Sequence, residues 1–415
     1  MQKKKRGQCV AAKRRTSPKP TKTVYSALSQ LVQWIPNGMI PRLAEEANLD
    51  IRKFSATSHV VALMYGQLSG CESLNGICDA ARLHEGDWRD GVTHLGTIPA
   101  ALVAEKTGGA ADWDIPVDLN TAAVTEKWDL IINIGHIVPH EVLGFANHNK
   151  NYFIGLGGKE TICGSHLASA CYGIENNLGN LCTPVRACYN WAEEKFLGHL
   201  PDVYFEVVMR RDEQGRLVHA GVYVGDDLET YSMAARASRE QNITVFDEPI
   251  HKIVAVMQTD EFRATWVANK AIYRTRMALA DGGELLIIAP GVERFGEQPD
   301  VDALIRKYGY CGTPQALDLY RKHADLKDLA HGTAHLLHGS TEGRFTVRYA
   351  PGKLTQKEVE GVNYAYMDVN EALRRYSPDI LREGWNTMPD GERIYFIATP
   401  SAGLWATSAR LTARS

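Results

Sequence analysis

"DLIINIGHIVPHEVLGFANHNK", residues 129–150, sets an apolar run directly against a polar one. Asp129 to Gly135 has the length and β-branched content of a buried strand. Pro139, His140, Glu141, Asn147, His148, Asn149 and Lys150 follow with almost no turn chemistry between them. In an open α/β sheet, ligands bind at the carboxyl ends of strands, so this junction is the first candidate for a site. An ordinary turn is the competing reading, and the rest of the chain has to decide.

Downstream the chain alternates. Helices are expected over Ser165–Leu178 and Pro184–Leu197, with Pro184 at a helix start and Gly198 just past an end. Val203–Met209 and Leu217–Val224 read as strands joined by a polar turn, and Leu228–Arg239 as a helix. Ile253–Met257 is an expected strand and Trp266–Ala280 an expected helix. Glu284–Ala289 is a strand after the Gly282-Gly283 turn. Helices near 301–308, 314–323 and 325–338 precede strands near 344–349 and 393–398. Such alternation predicts an α/β architecture, and a boundary near residue 250 divides it into two lobes. Upstream, residues 24–82 read as helical: Val24 to Trp34 is apolar at helical spacing, and Pro36 and Gly38 stop it.

The 415 residues have room for two or three cores. The composition is globular, 44% hydrophobic and 23% charged with a net charge of −3, so nothing global points to nucleic acid or an acidic substrate. The first 22 residues differ: Lys3, Lys4, Lys5, Arg6, Lys13, Arg14, Arg15, Lys19 and Lys22 occur without one acidic residue. This arm reads as a solvated, disordered tail able to touch nucleic acid. It lacks the apolar segment of a secretory signal. No stretch of about 18 apolar residues suggests a membrane span. The eight cysteines form no CxxC pair and fit no zinc spacing, so they read as reduced cytosolic thiols.

The opening stretch continues as "NYFIGLGGKETICGSH", residues 151–166. Gly155, Gly157 and Gly158 suggest a flexible, backbone-accessible loop, with His166 at the start of a helix. The glycines match neither the dinucleotide fingerprint nor the phosphate-binding loop. His140, Lys150 and His166 are candidates to converge. An imidazole transfers protons near neutral pH or ligates a late first-row metal, and a lysine amine bonds covalently to carbonyl-type groups. A histidine in a loop is also commonly a hydrogen-bonded structural residue.

From about His84 to Trp405 the chain resembles the lactate racemase family, whose members carry a nickel-pincer nucleotide. The resemblance rests on Pro139-His140, Gly144, Lys150 ten residues after the histidine, and His166 sixteen after the lysine. Residues 269–297, 338–345 and 398–406 resemble a branch of that family. The resemblance implies that Lys150 holds the pyridinium cofactor through an amide-type bond, with Gly144 beside it. It implies that His166 ligates nickel and that His140 is the general acid/base. Lys270 matches a lysine that contacts the substrate carboxylate, although the usual glutamine three residues earlier is Val267 here. The implied activity is racemisation or epimerisation of a 2-hydroxy acid, lactate-like or a sugar acid, by proton-coupled hydride transfer.

The chain departs from the family pattern in three places. Ala146-Asn147-His148 stands where the family has Ser-Gly-Gly, which suggests a reshaped substrate site. Two upstream family segments, Asp-x-Thr-Arg for the cofactor phosphate and Gly-Thr-His for the second acid/base, are not found. His94 in "GVTHLG" (91–96) is only superficially similar to the latter. Residues 24–82 instead resemble the helical N-terminal domain of insertion-sequence transposases of the DDE class. The expected organisation is a basic tail (1–22), a helical module (23–83), a truncated first α/β lobe (84–250) and a second α/β lobe (251–415). The truncation predicts an exposed sheet edge and poor folding of the first lobe, and the basic and helical segments predict weak DNA binding.

Overall fold

The chain divides into two units, Met1–Gly86 and Asp87–Ser415. The structure, a computed structural model, describes residues 91–412 apart from 126, 212–216 and 402. The basic arm, the helical module and their expected DNA contact therefore lie outside the described residues.

The described residues are mixed α/β. β1 (Val92–Ile98) and β2 (Ile115–Asn120) pair antiparallel around the helix Ala100–Thr107. β3 (Ile131–His136) leads into the short pair β4 (Pro139–His140) and β5 (Gly144–Phe145). β6 (Asp202–Arg211) runs parallel to β3 and antiparallel to β7 (Leu217–Gly225), giving the order β3-β6-β7. The helices Lys159–Tyr172 and Pro184–Phe196 lie between β5 and β6 in the chain. Thr183 caps the second, its side chain accepting from Arg186 N–H, with Pro184 in the first turn. Ile98, Val117, Leu119, Phe153 and Tyr189 are fully buried in one core, so this lobe is well packed despite the truncation expected from sequence.

β8 (Ile243–Phe246) and β9 (Ile250–Val256) begin the second lobe. β10 (Leu279–Ala289), β11 (Thr346–Pro351), β12 (Ala365–Tyr366), β13 (Gly384–Thr387) and β14 (Arg393–Ile397) complete a sheet ordered β12-β11-β10-β9-β14-β13. All neighbours are parallel except β13 and β14. β10 shows why its sequence is apolar without alternation: Leu285, Ile287 and Ala289 enter one core and Leu286 and Ile288 another. A parallel sheet is covered by helices on both faces, so both sets of side chains are buried. β15 (Leu404–Thr407) returns to pair with β8.

Several expected elements change. The helix read over 266–280 is two short turns, Thr265–Ala268 and Lys270–Thr275, and Leu279 already belongs to β10. The Gly282-Gly283 turn is a register shift inside that strand. Helix 325–338 is interrupted at Leu329, giving Ala324–Asp328 and Ala330–Gly339. β2, β8, β13 and β15 lie outside the expected elements, being short or partly polar. No helix among the described residues is long and apolar enough to cross a membrane.

Candidate functional site

The stretch beyond β3 is a short hairpin with a buried backing. His140 ends β4, and its Nδ1 accepts from Val142 N–H at 3.1 Å. Gly144 has φ +77°, and a Cβ there would meet the Asn180 carbonyl oxygen at 1.8 Å. That contact gives the glycine a packing reason of its own.

Asn147 and His148 adopt left-handed backbone, φ 63° and 57°, where the family pattern has glycines. Their side chains turn into the protein. His148 Nδ1 lies 2.9 Å from Glu206 Oε1, and the pair is 2% and 0% exposed. Asn147 donates to the Gly135 carbonyl at 2.9 Å and to the Glu206 carboxylate. Asn149 donates to Asn190 and Glu193, and buried Arg186 donates to the Phe145 and Asn147 carbonyls. The Ala146-Asn147-His148 departure is therefore a clamp on the loop backbone. Lys150, next in line, starts a π-helical turn, Asn151–Gly155. The glycines that follow are not a flexible loop. Gly157 bridges to Leu119 of β2, and a Cβ on it would meet the Phe153 carbonyl oxygen at 2.0 Å.

His166 lies in the middle of its helix rather than at the start, one turn beyond Ile162. Its Nδ1 donates to the Ile162 carbonyl at 2.8 Å, which leaves the Nε2 lone pair free for a metal. This helix packs against Ala330–Gly339 of the second lobe through Leu167, Ala170, Ala334 and Leu337. The site is thus assembled between lobes. The facing helix carries three histidines with different surroundings. His331 is 3.3 Å from Cys163 Sγ. His335 is held by the Tyr273 and Tyr310 hydroxyls, both at 2.9 Å. His338 is buried with no hydrogen-bond partner on Nε2 among the described residues. From the same lobe, Lys270 opens the helix Lys270–Thr275, and Arg274 one turn later donates to the Pro139 carbonyl beside His140.

The charges of this cluster act on one another. Burial pushes the His140 pKa well below the ordinary value; Glu141 opposes this, and Lys150, Arg274 and His166 add to it. Burial works against a charged Glu141, but His140 and Arg274 outweigh it and hold the carboxyl well below its usual range. Burial lowers Lys150 to about 8, with Lys270, Arg186 and Arg274 assisting against Glu141. His166 is lowered by burial, against its Ile162 bond and Glu141. His338 falls to about 4, again from burial, with Glu141 opposing and His166 assisting. His140, Lys150, His166 and Lys270 thus come together, with Glu141 among them.

Residues 106–177 match the family described as the lactate racemase N-terminal domain. This part of the first lobe is similar to a lactate racemase N-terminal domain. Residues 23–88 match a domain family of unknown function, which marks that segment off without assigning it an activity. No protein of curated function shows a significant match. Among solved structures, the chain is similar to a Thermotoga maritima protein at 20% identity and TM-score 0.69, over 95% of this chain and 99% of that one. It is also similar to the lactate racemase apoprotein of Thermoanaerobacterium thermosaccharolyticum at 15% identity and TM-score 0.58, covering 84% and 82% of the respective chains.

In this site, sequence reasoning missed Glu141, Arg274 and His338. Arg274 was within reach, being four residues from Lys270 and so on the same helix face. His338 is visible only once the two lobes meet. His94 bonds Asp118 at 2.7 Å on a largely exposed edge and is not among the groups that act on His140, Lys150 or His166. Among the described residues, no group of three or more His, Cys, Asp or Glu could hold a metal. One consequence is testable directly: pulse acylation followed by peptide mass spectrometry is expected to label Lys150 with a midpoint near pH 8. Exposed lysines should label with midpoints nearer 10.5. A Lys150 midpoint near theirs would contradict the buried setting.

Proposed function

We propose that this chain is a racemase or epimerase of a 2-hydroxy acid, working by proton-coupled hydride transfer with a nickel-pincer nucleotide. The observation that carries this reading is the convergence of His140, Lys150, His166 and Lys270 from two lobes. The residues fit the ring and metal ends of such a cofactor. The Lys150 amine, lowered to about 8, has a sizeable neutral, nucleophilic fraction for an amide-type bond near pH 7. His166 presents a single free Nε2. A bare metal ion would need several protein donors, whereas one imidazole suffices when the cofactor supplies the others. When bound, the group supplies the hydride acceptor that the polypeptide lacks.

The chain's own residues do the rest. Lys270, with Arg274 behind it, holds the substrate carboxylate. His140 takes the hydroxyl proton. Its neutral ring carries hydrogen on Nε2 while Nδ1 accepts from Val142, so the ring gives up that bond when it accepts a proton. Inversion needs a second proton-transfer group, and His338 is assigned that part because its Nε2 is buried and unpaired. For the N-terminal segment, weak salt-sensitive DNA binding by residues 1–82 is the corresponding proposal.

Co-expression with cofactor-making proteins, followed by intact-mass and nickel analysis, tests the reading. The expected result is one mass adduct that maps to Lys150 and is absent in Lys150→Ala. Nickel should be lost in His166→Ala. An unmodified Lys150 in the wild type would sink the cofactor assignment.

A further inference from the structure

Glu141 is the hub of the cluster, yet the mechanism above gives it no task. Its backbone is fixed: the Ser169 hydroxyl donates to the Glu141 carbonyl at 3.2 Å, and Arg274 holds the Pro139 carbonyl two residues earlier. Carboxylate Oε2 is buried without a hydrogen-bond partner. Arg274 Nη2 stands 3.9 Å from it, an ion-pair distance but too long for a hydrogen bond. A buried carboxylate oxygen without a donor is costly, so the arrangement is complete only when something donates to it.

We infer that Glu141 accepts a hydrogen bond from a second hydroxyl of the substrate, on the carbon next to the reacting one, so that 2,3-dihydroxy acids are preferred to lactate. This rests on the 2-hydroxy-acid reading. The reacting carbon of such an acid carries a carboxylate for Lys270, a hydroxyl for His140 and one variable branch. Glu141 directly follows His140 in the chain, and the variable branch is the part left for it. An ionised carboxylate only accepts hydrogen bonds, and its neighbours keep Glu141 ionised. An ammonium on the branch would be repelled by Lys270 and Arg274, and a second carboxylate by Glu141 itself. A neutral hydroxyl satisfies both conditions.

Glycerate and lactate differ only by this hydroxyl, and malate places a carboxylate there. With cofactor-loaded protein, glycerate is expected to exceed lactate in kcat/KM by about 10²-fold or more, as for sites built to bond a substrate hydroxyl. Glu141→Leu should reduce the ratio below about 10-fold, and Glu141→Gln, which keeps an acceptor oxygen, should fall between. The wild-type ratio carries the test if the leucine variant does not fold. Equal rates for the two acids, or a preference for malate, would overturn the assignment while leaving the racemase reading intact. If no acid turns over, the racemase reading fails and ligand-induced thermal shifts decide. A larger shift with glycerate than with lactate, lost in Glu141→Gln, upholds Glu141 as a hydroxyl reader; equal or absent shifts overturn it.

Discussion

Replacing His140 by Asn is expected to lower kcat for racemisation by ~10²–10⁴-fold, the range for losing a positioned acid/base group. Asparagine keeps an acceptor for Val142 N–H, so the hairpin should survive and the loss should fall on chemistry. Chiral chromatography of the product measures it, with the urea midpoint as the folding control. A variant retaining near wild-type kcat would remove His140 from the mechanism. His338→Gln should show a loss of the same order if inversion uses two groups. The pH profile has a definite sign. His140 must be neutral to act as base, and burial lowers its pKa, so kcat/KM should hold through pH 6.5 and fall only in more acid solution. Stability follows the same direction. His140, His166, His335 and His338 all have folded pKa values below 6.5. The unfolded chain therefore binds protons first. Their contribution is complete above pH 6.5 and is lost as pH falls toward the folded values, ~1.4 kcal/mol per unit for each.

Glu206→Ala is expected to destabilise the protein by ~3–5 kcal/mol, because it leaves His148 and Asn147 without their buried partner. His148→Gly should cost less than His148→Ala, since glycine relieves a left-handed backbone worth ~1 kcal/mol or more. The two sites touch, so combining His148→Gly with Glu206→Gln should cost less than the sum of the single changes. Urea denaturation of the four proteins reads the coupling. Strict additivity would mean that the clamp is not one unit. A measurable shift in Lys150 labelling in these variants is also expected, since Lys150 follows the clamp by two residues.

The α/β class and the β6–β7 hairpin were legible because alternation and a polar turn are local signals. Pro184 and Thr183 likewise mark a helix start without tertiary help. The break after Thr275 was not legible, since Met277–Ala280 stay apolar while leaving the helix for β10. In the site, His140, Lys150 and His166 are positioned by the hairpin, the π-helical turn after it and one helix. Glu141 stands in the same polar stretch, but an acidic residue has no spacing signal that gives it a role. The inward turn of Asn147 and His148 could not be read, as it depends on Glu206, which arrives from β6 58 residues after His148. His338 depends on how two lobes face each other.

Arg274 of the second lobe grips the Pro139 carbonyl of the first, and this has a meaning for protein engineering. The lobes cannot be exchanged as independent cassettes between relatives. A hybrid that brings in a foreign second lobe inherits the hairpin that aims His140 but not the residue that holds it there. Recombination within this architecture should therefore succeed when positions 139–141 and 274 travel as one inherited block, and fail when a crossover separates them.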